Sequence, residues 1–99
     1  MLLKKLTVDD QVVDIVTKGG NQLGNLSKCV VANTSASNTV KVSVYLEDAS
    51  GVKHHYIKSV LMPTETSLAF DLFGFNKDKY HLRAVGDGTS PLVDIILTK

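Results

Sequence analysis

The stretch from Asn38 to Pro63, NTVKVSVYLEDASGVKHHYIKSVLMP, constrains the fold more than any other part of the chain. Val40, Val42, Val44 and Leu46 fall on one side, and Lys41, Ser43, Tyr45 and Glu47 on the other. Successive side chains of a strand point to opposite faces, so this alternation predicts a strand with one buried face. Asp48-Ala49-Ser50-Gly51 supplies turn residues, and a second extended run follows from Val52 to Met62. Together they predict a β-hairpin with a short loop. The alternation breaks in the second run, which calls for a bulge or for apolar contacts on both faces.

The rest of the chain repeats the theme. Leu2 to Val8 reads as a first strand with an edge position open to it. Gln11 to Thr17 carries the β-branched run Val12, Val13, Ile15 and Val16, which prefers extended structure. Lys18-Gly19-Gly20-Asn21 breaks it, and Gln22 to Asn25 reads as loop. Leu26 to Asn33 has apolar residues on both parities and is expected to be buried on both faces. After the hairpin, Met62-Pro63-Thr64-Glu65-Thr66 forms a corner, because Pro63 cannot donate to a ladder. Ser67 to Leu72, Lys79 to Val85 and Leu92 to Thr98 are further strands, and Gly86 to Pro91 reads as loop. A single helical turn fits only between Asp71 and Lys79. Seven to eight short strands separated by turn signals predict an all-β chain: a single antiparallel β-sandwich, jelly-roll or Ig-like. One domain, residues 1–99, accounts for the length.

Composition narrows the function. Apolar content of 43% and charged content of 21% suit a globular domain and argue against disorder. A net charge of +1 with no basic run lacks the electrostatic footprint of nucleic-acid binding. Cys29 is the one cysteine, so no internal disulfide forms, which suits synthesis in a cytosol. Within Cys29-Val30-Val31-Ala32 it reads as a small buried hydrophobe rather than a nucleophile. Met1 to Leu6 has neither the apolar length of a membrane span nor the cleavage site of a signal peptide.

No residue cluster carries recognisable chemistry. His54 and His55 are neighbours, and adjacent strand residues cannot chelate one ion without a bulge. With His81 they make a weak ligand set, so no metal and no cofactor is expected. The carboxylates mostly flank turn residues, where Asp bonds its own backbone. Ser, His and Asp occur without an elbow motif, and the glycines form no phosphate loop. The chain is therefore expected not to be an enzyme; a hydrolase using His54, His55 or His81 is the weakest alternative. Tyr45, Tyr56 and Phe73 would be the stacking face of a carbohydrate-binding module, the alternative from a different class. In Phe73-Gly74-Phe75, core burial of both rings is favoured over use of one as an intersubunit anchor.

The succession Val31-Ala32-Asn33-Thr34-Ser35, then Asn38 to Leu46, resembles small virion proteins of tailed bacteriophages. So does Gly51 to Val60, followed by Met62-Pro63 and the strand Ser67-Leu68-Ala69-Phe70-Asp71. In that family a strand ends in an Asn-Thr/Ser step and a Val-rich strand follows. A Gly turn then leads to an aromatic pair, and an apolar-Pro corner precedes the next strand. The resemblance spans about Ser27 to Leu97 and departs at His54-His55-Tyr56, where the family has a Tyr-Tyr-like pair. It implies a non-enzymatic structural protein of the virion, made in the host cytoplasm. A capsid cement or decoration role comes first, and a neck, tail or fibre-adaptor role is the alternative. The implied partners are the major capsid protein or neck and tail subunits, with the chain a homo-oligomer in the particle and with no nucleic acid or membrane bound. Sheet edges and loops would make the contacts. The candidate interface residues are His54, His55, Tyr56, Phe73 and Phe75, and His54-His55-Tyr56 is expected to be exposed on at least one side.

Overall fold

A computed structural model describes residues 1–19 and 26–99. The loop expected over Gln22 to Asn25, and the Gly20-Asn21 half of the preceding break, lie outside the described residues. The described residues form eight strands: β1 (Leu2–Leu6), β2 (Val12–Val16), β3 (Lys28–Asn33), β4 (Val40–Glu47), β5 (Lys53–Met62), β6 (Thr66–Asp71), β7 (His81–Asp87) and β8 (Val93–Thr98). They pair antiparallel in two four-stranded sheets, ordered β1-β8-β3-β6 and β2-β7-β4-β5. Thus β4 pairs with β5, β3 with β6, β2 with β7 and β1 with β8. That is one long hairpin, folded at the β4–β5 turn and wound into two layers. This order is the jelly-roll form of the sandwich, not the Ig-like ABED/CFG arrangement.

The core lies between the sheets and is built by alternation. From the first sheet come Leu6, Cys29, Val31, Val93, Ile95 and Leu97, and from the second Val40, Val42, Val44, Leu82 and Ala84, each 0–1% exposed. Cys29 is buried there as a hydrophobe, and burial pushes its thiol up to about 12. That value leaves almost no thiolate at neutral pH. In β2 both Ile15 and Val16 are buried, because the ladder slips between Asp14 and Val16. The broken alternation of β5 has the same cause: its register with β4 shifts around Val44. Ser59 there takes a positive φ of 49°, and its N–H donates to Ser43 Oγ at 2.8 Å. A polar residue in the outward column of β4 thereby caps the bulge.

Several expectations change. Val8 lies beyond the end of β1 and is 53% exposed, so it does not share the buried face of Leu6. Gly86 and Asp87 belong to β7 rather than to the following loop, with Gly86 facing the core. One expectation stands: the single helical turn that fits between Asp71 and Lys79 closes at Asn76, whose carbonyl accepts from the Lys79 and Tyr80 N–H groups at 3.0 Å each. β3 is not covered on both sides. Cys29, Val31 and Asn33 face inward, while Val30 and Ala32 face outward and are only half-buried, since no described layer packs over the first sheet.

One buried polar side chain holds the two layers at their crossing. Asn33, 2% exposed, ends β3 on the inward parity. Its Nδ2 donates to the carbonyls of Asn38, Met62 and Pro63, at 3.0, 3.1 and 3.1 Å. Its Oδ1 accepts from Ser35 N–H at 3.1 Å, and Ser35 Oγ in turn accepts from the Ser37 and Asn38 N–H groups. The chain changes sheets twice here, from β3 to β4 and from β5 to β6. Both crossings leave carbonyls without a ladder partner, and one amide satisfies carbonyls from both.

Candidate functional site

The β4–β5 turn sets the register of the candidate residues. Asp48 accepts from Ser50 and Val52 N–H through its carboxylate, at 2.9 and 3.0 Å, and Gly51 takes the positive φ of 82° that closes the loop. The Val52 N–H bond chiefly holds the Asp48 carboxyl below its usual range, with smaller help from Ser50 and His54. The register then places His54 opposite Leu46 and His55 opposite Tyr45. The two histidines therefore leave β5 on opposite faces, as strand geometry requires.

His54 stands 3.7 Å from Asp48 and meets the edge of the Tyr80 ring, with centroids 6.2 Å apart. His55 lies on the outer face of the second sheet, tilted against Tyr45 at 5.2 Å. Partial desolvation lowers the pKa of His55, and the Lys58 and Lys53 charges lower it further. His81 is elsewhere: its Nδ1 accepts from Lys18 N–H at 3.0 Å. The three histidines are thus not brought together, and among the described residues no group of three or more His, Cys, Asp or Glu is arranged to hold a metal ion.

Tyr56 turns the other way and ties β5 to the β6–β7 loop. Its hydroxyl donates to the Phe73 carbonyl at 2.6 Å, and its ring packs on Phe70 at 5.9 Å. Burial, with a smaller contribution from Tyr80, pushes its hydroxyl up to about 12. The loop separates the two phenylalanines. Leu72 and Phe75 turn into the core, at 6% and 9% exposure, while Phe73 between them is 76% exposed. Gly74, at φ 67°, makes the reversal that lets Phe75 return to the core. Burial of both rings is therefore corrected: Phe75 is core and leaves the set of interface candidates, and Phe73 is the exposed one. Tyr56 is half-buried rather than free at the surface. Sequence spacing could not reveal this, because the Tyr56–Phe73 contact joins residues 17 apart across two elements.

The carbohydrate platform is not assembled. Tyr45 is 3% exposed, covered by His55 and by Lys53, whose Nζ stands 5.2 Å from the ring centroid. Tyr56 and Phe73 meet elsewhere, at the β6–β7 loop. The outer face around Tyr45 is charged instead: Arg83 bonds Asp14 and Glu47, both at 2.6 Å, joining β2, β7 and β4. Concave features are shallow and open. One of about 530 Å³ lies along β1 and β8, lined by Leu3, Lys5, Asp94 and Ile96 among others. Another of about 400 Å³ lies beside Lys41, Leu61 and Asp87.

Among the described residues no helix is long and apolar enough to cross a membrane. No family model matches this sequence, and no curated protein or solved structure is significantly similar to it.

Proposed function

We propose that this chain is a non-enzymatic structural protein of a tailed-phage virion, a capsid cement or decoration subunit that docks on neighbouring virion proteins. The observation that carries the docking part is the Phe73 corner. A phenylalanine 76% exposed is held in place by the Tyr56 hydroxyl on its own carbonyl and by the buried residues Leu72 and Phe75 on either side of it. An aromatic side chain on a fixed backbone loses little freedom on binding and gains much contact area, which is the chemistry of an interface anchor. His54 presents a polar, half-exposed ring on the strand beside Tyr56. The virion itself comes from the resemblance of Ser27 to Leu97 to that family, and the wound β-sandwich is an architecture that viral capsid domains use.

Mass spectrometry of purified virions is the direct test: the chain should be present at a fixed copy number. Phe73→Ala should reduce its occupancy about tenfold, the effect of losing one anchor side chain, with the melting temperature unchanged. Absence of the chain from mature particles overturns the virion reading. Full occupancy of the Phe73→Ala protein overturns the anchor. A cryo-EM map of the particle then distinguishes a capsid position from a neck or tail position.

A further inference from the structure

The first sheet carries an apolar row that the core does not use. Leu3 pairs with Ile96, Ile96 with Val30 and Val30 with Ala69, so these four residues form one line across all four strands on the outer face. Leu3 is 61% exposed and Ala69 is exposed; Ile96 and Val30 are half-buried. On one side of the row Lys5 bridges Asp94 at 3.0 Å. On the other side Lys28 is the cross-strand partner of Asp71. The outer face therefore has an apolar centre and two flanks of balanced charge. The second sheet differs, because its outer face is crossed by the Asp14–Arg83–Glu47 network.

We infer that the outer face of the β1-β8-β3-β6 sheet is a self-association surface, which pairs with the same face of a second copy of this chain. Two features select a copy of itself as the occupant. The first is charge. A two-fold axis lying along the row sets each apolar residue over its own counterpart and turns one flank over the other. Asp94 of one copy then lies one strand away from Lys28 of the other, an opposite-charge pairing. The second is area. Four strands spaced about 4.8 Å apart and six residues long present roughly 400 Å² of flat face per copy. With side-chain relief, two such faces bury about 1,000 Å², near the lower bound of a specific interface. Sheets packed face to face at about 10 Å are a standard solution to an apolar sheet surface. The inference does not rest on the virion reading: the row lies on the strands of the first sheet, whereas Phe73 lies in the β6–β7 loop.

The test is sedimentation velocity of the whole chain from low micromolar to sub-millimolar concentration, beside the variants Leu3→Glu and Ile96→Lys. In an isologous pair each substituted residue meets its own copy, so a single change sets like charges together. The native chain should shift from monomer to dimer as concentration rises. Each variant should raise the dissociation constant at least about tenfold, with an unchanged circular dichroism spectrum. Leu3 is exposed, so its substitution keeps the test valid where Ile96→Lys fails to fold. On dilution of the native chain, amide resonances of Val30 and Ile96 should move while those of Tyr45 and Arg83 stay fixed. A chain that is monomeric throughout overturns the inference, as does a dimer indifferent to Leu3→Glu or resonance shifts confined to the other sheet.

Discussion

Asn33 does more for this structure than its size suggests. A buried primary amide is tolerated only when its donors and acceptor are used, and here they serve four backbone groups. Asn33→Ala would remove the amide and take its donor from the Asn38 and Met62 carbonyls at the sheet crossings, while the Pro63 carbonyl keeps the Thr66 hydroxyl at 2.7 Å. Leaving buried polar groups unpaired costs 1–3 kcal/mol each, softened where water enters, so the loss of stability should be about 3 kcal/mol. Urea unfolding followed by circular dichroism measures it. Tyr56 gives a second test at this scale. Its hydroxyl is held up to about 12 against a free value of 10.0. Between those values the unfolded chain releases a proton that the folded chain keeps. Its contribution is therefore full below pH 10.0 and is lost as pH rises toward 12. Tyr56→Phe should cost about 1 kcal/mol at neutral pH, from the lost bond to the Phe73 carbonyl. Its stability should fall less steeply through that alkaline window. Alkaline urea titrations of the two proteins give the comparison.

Two elements show how local chemistry positions side chains that periodicity cannot. In the β4–β5 hairpin, Asp48 and Gly51 build the turn, and Ser43 pays for the bulge by accepting from Ser59. Regular pairing runs from Glu47–Lys53 to Tyr45–His55, and the register shifts only beyond it, so His54 and His55 keep strict alternation and point to opposite faces. In the β6–β7 loop, Gly74 divides two chemically identical rings into different environments. Phe75→Ala should lose about 3–4 kcal/mol, as a large core deletion does, while Phe73→Ala should lie within about 0.5 kcal/mol of the native chain. Thermal melts of the pair measure the split. Equal costs would mean that the two rings share one environment.

At the scale of the molecule, every sheet pairing except β4–β5 joins strands distant in sequence. Loop closure must precede most of the stabilising contacts, so folding should be slow for a domain of this size, in milliseconds to seconds. Stopped-flow tyrosine fluorescence is the suitable probe, since the chain has no Trp. A microsecond relaxation would contradict the wound topology. The same topology leaves β1, β6, β2 and β5 as edges, with Lys4 and Lys5 on β1 and Lys53 and Lys58 on β5. Edge lysines oppose strand-to-strand pairing with other chains. The β2 and β6 edges carry no lysine, so this protection covers one edge of each sheet.

All eight strands were legible in the residues, because alternation is a local property: a period of two and a turn residue are visible in any window of ten. The hairpin from Asn38 to Pro63, the bulge in its second strand, the burial of Cys29 and the divergence of His54 and His55 follow from the same local rules. What the tertiary structure alone decided is everything that depends on which layer lies opposite. Val30 and Ala32 have the composition of a strand buried on both faces, yet the described residues give them only one covering sheet. Val8 has the parity of the core, but β1 ends before it. Phe73 and Phe75 are indistinguishable by residue type, and the reversal at Gly74 with the positions of Leu72 and Tyr56 separates them. Asn33 reads as the end of a strand, and its role exists only because two sheet crossings converge on it. Periodicity specifies the direction of a side chain relative to its own strand, whereas burial and partnership depend on what other strands bring to that side.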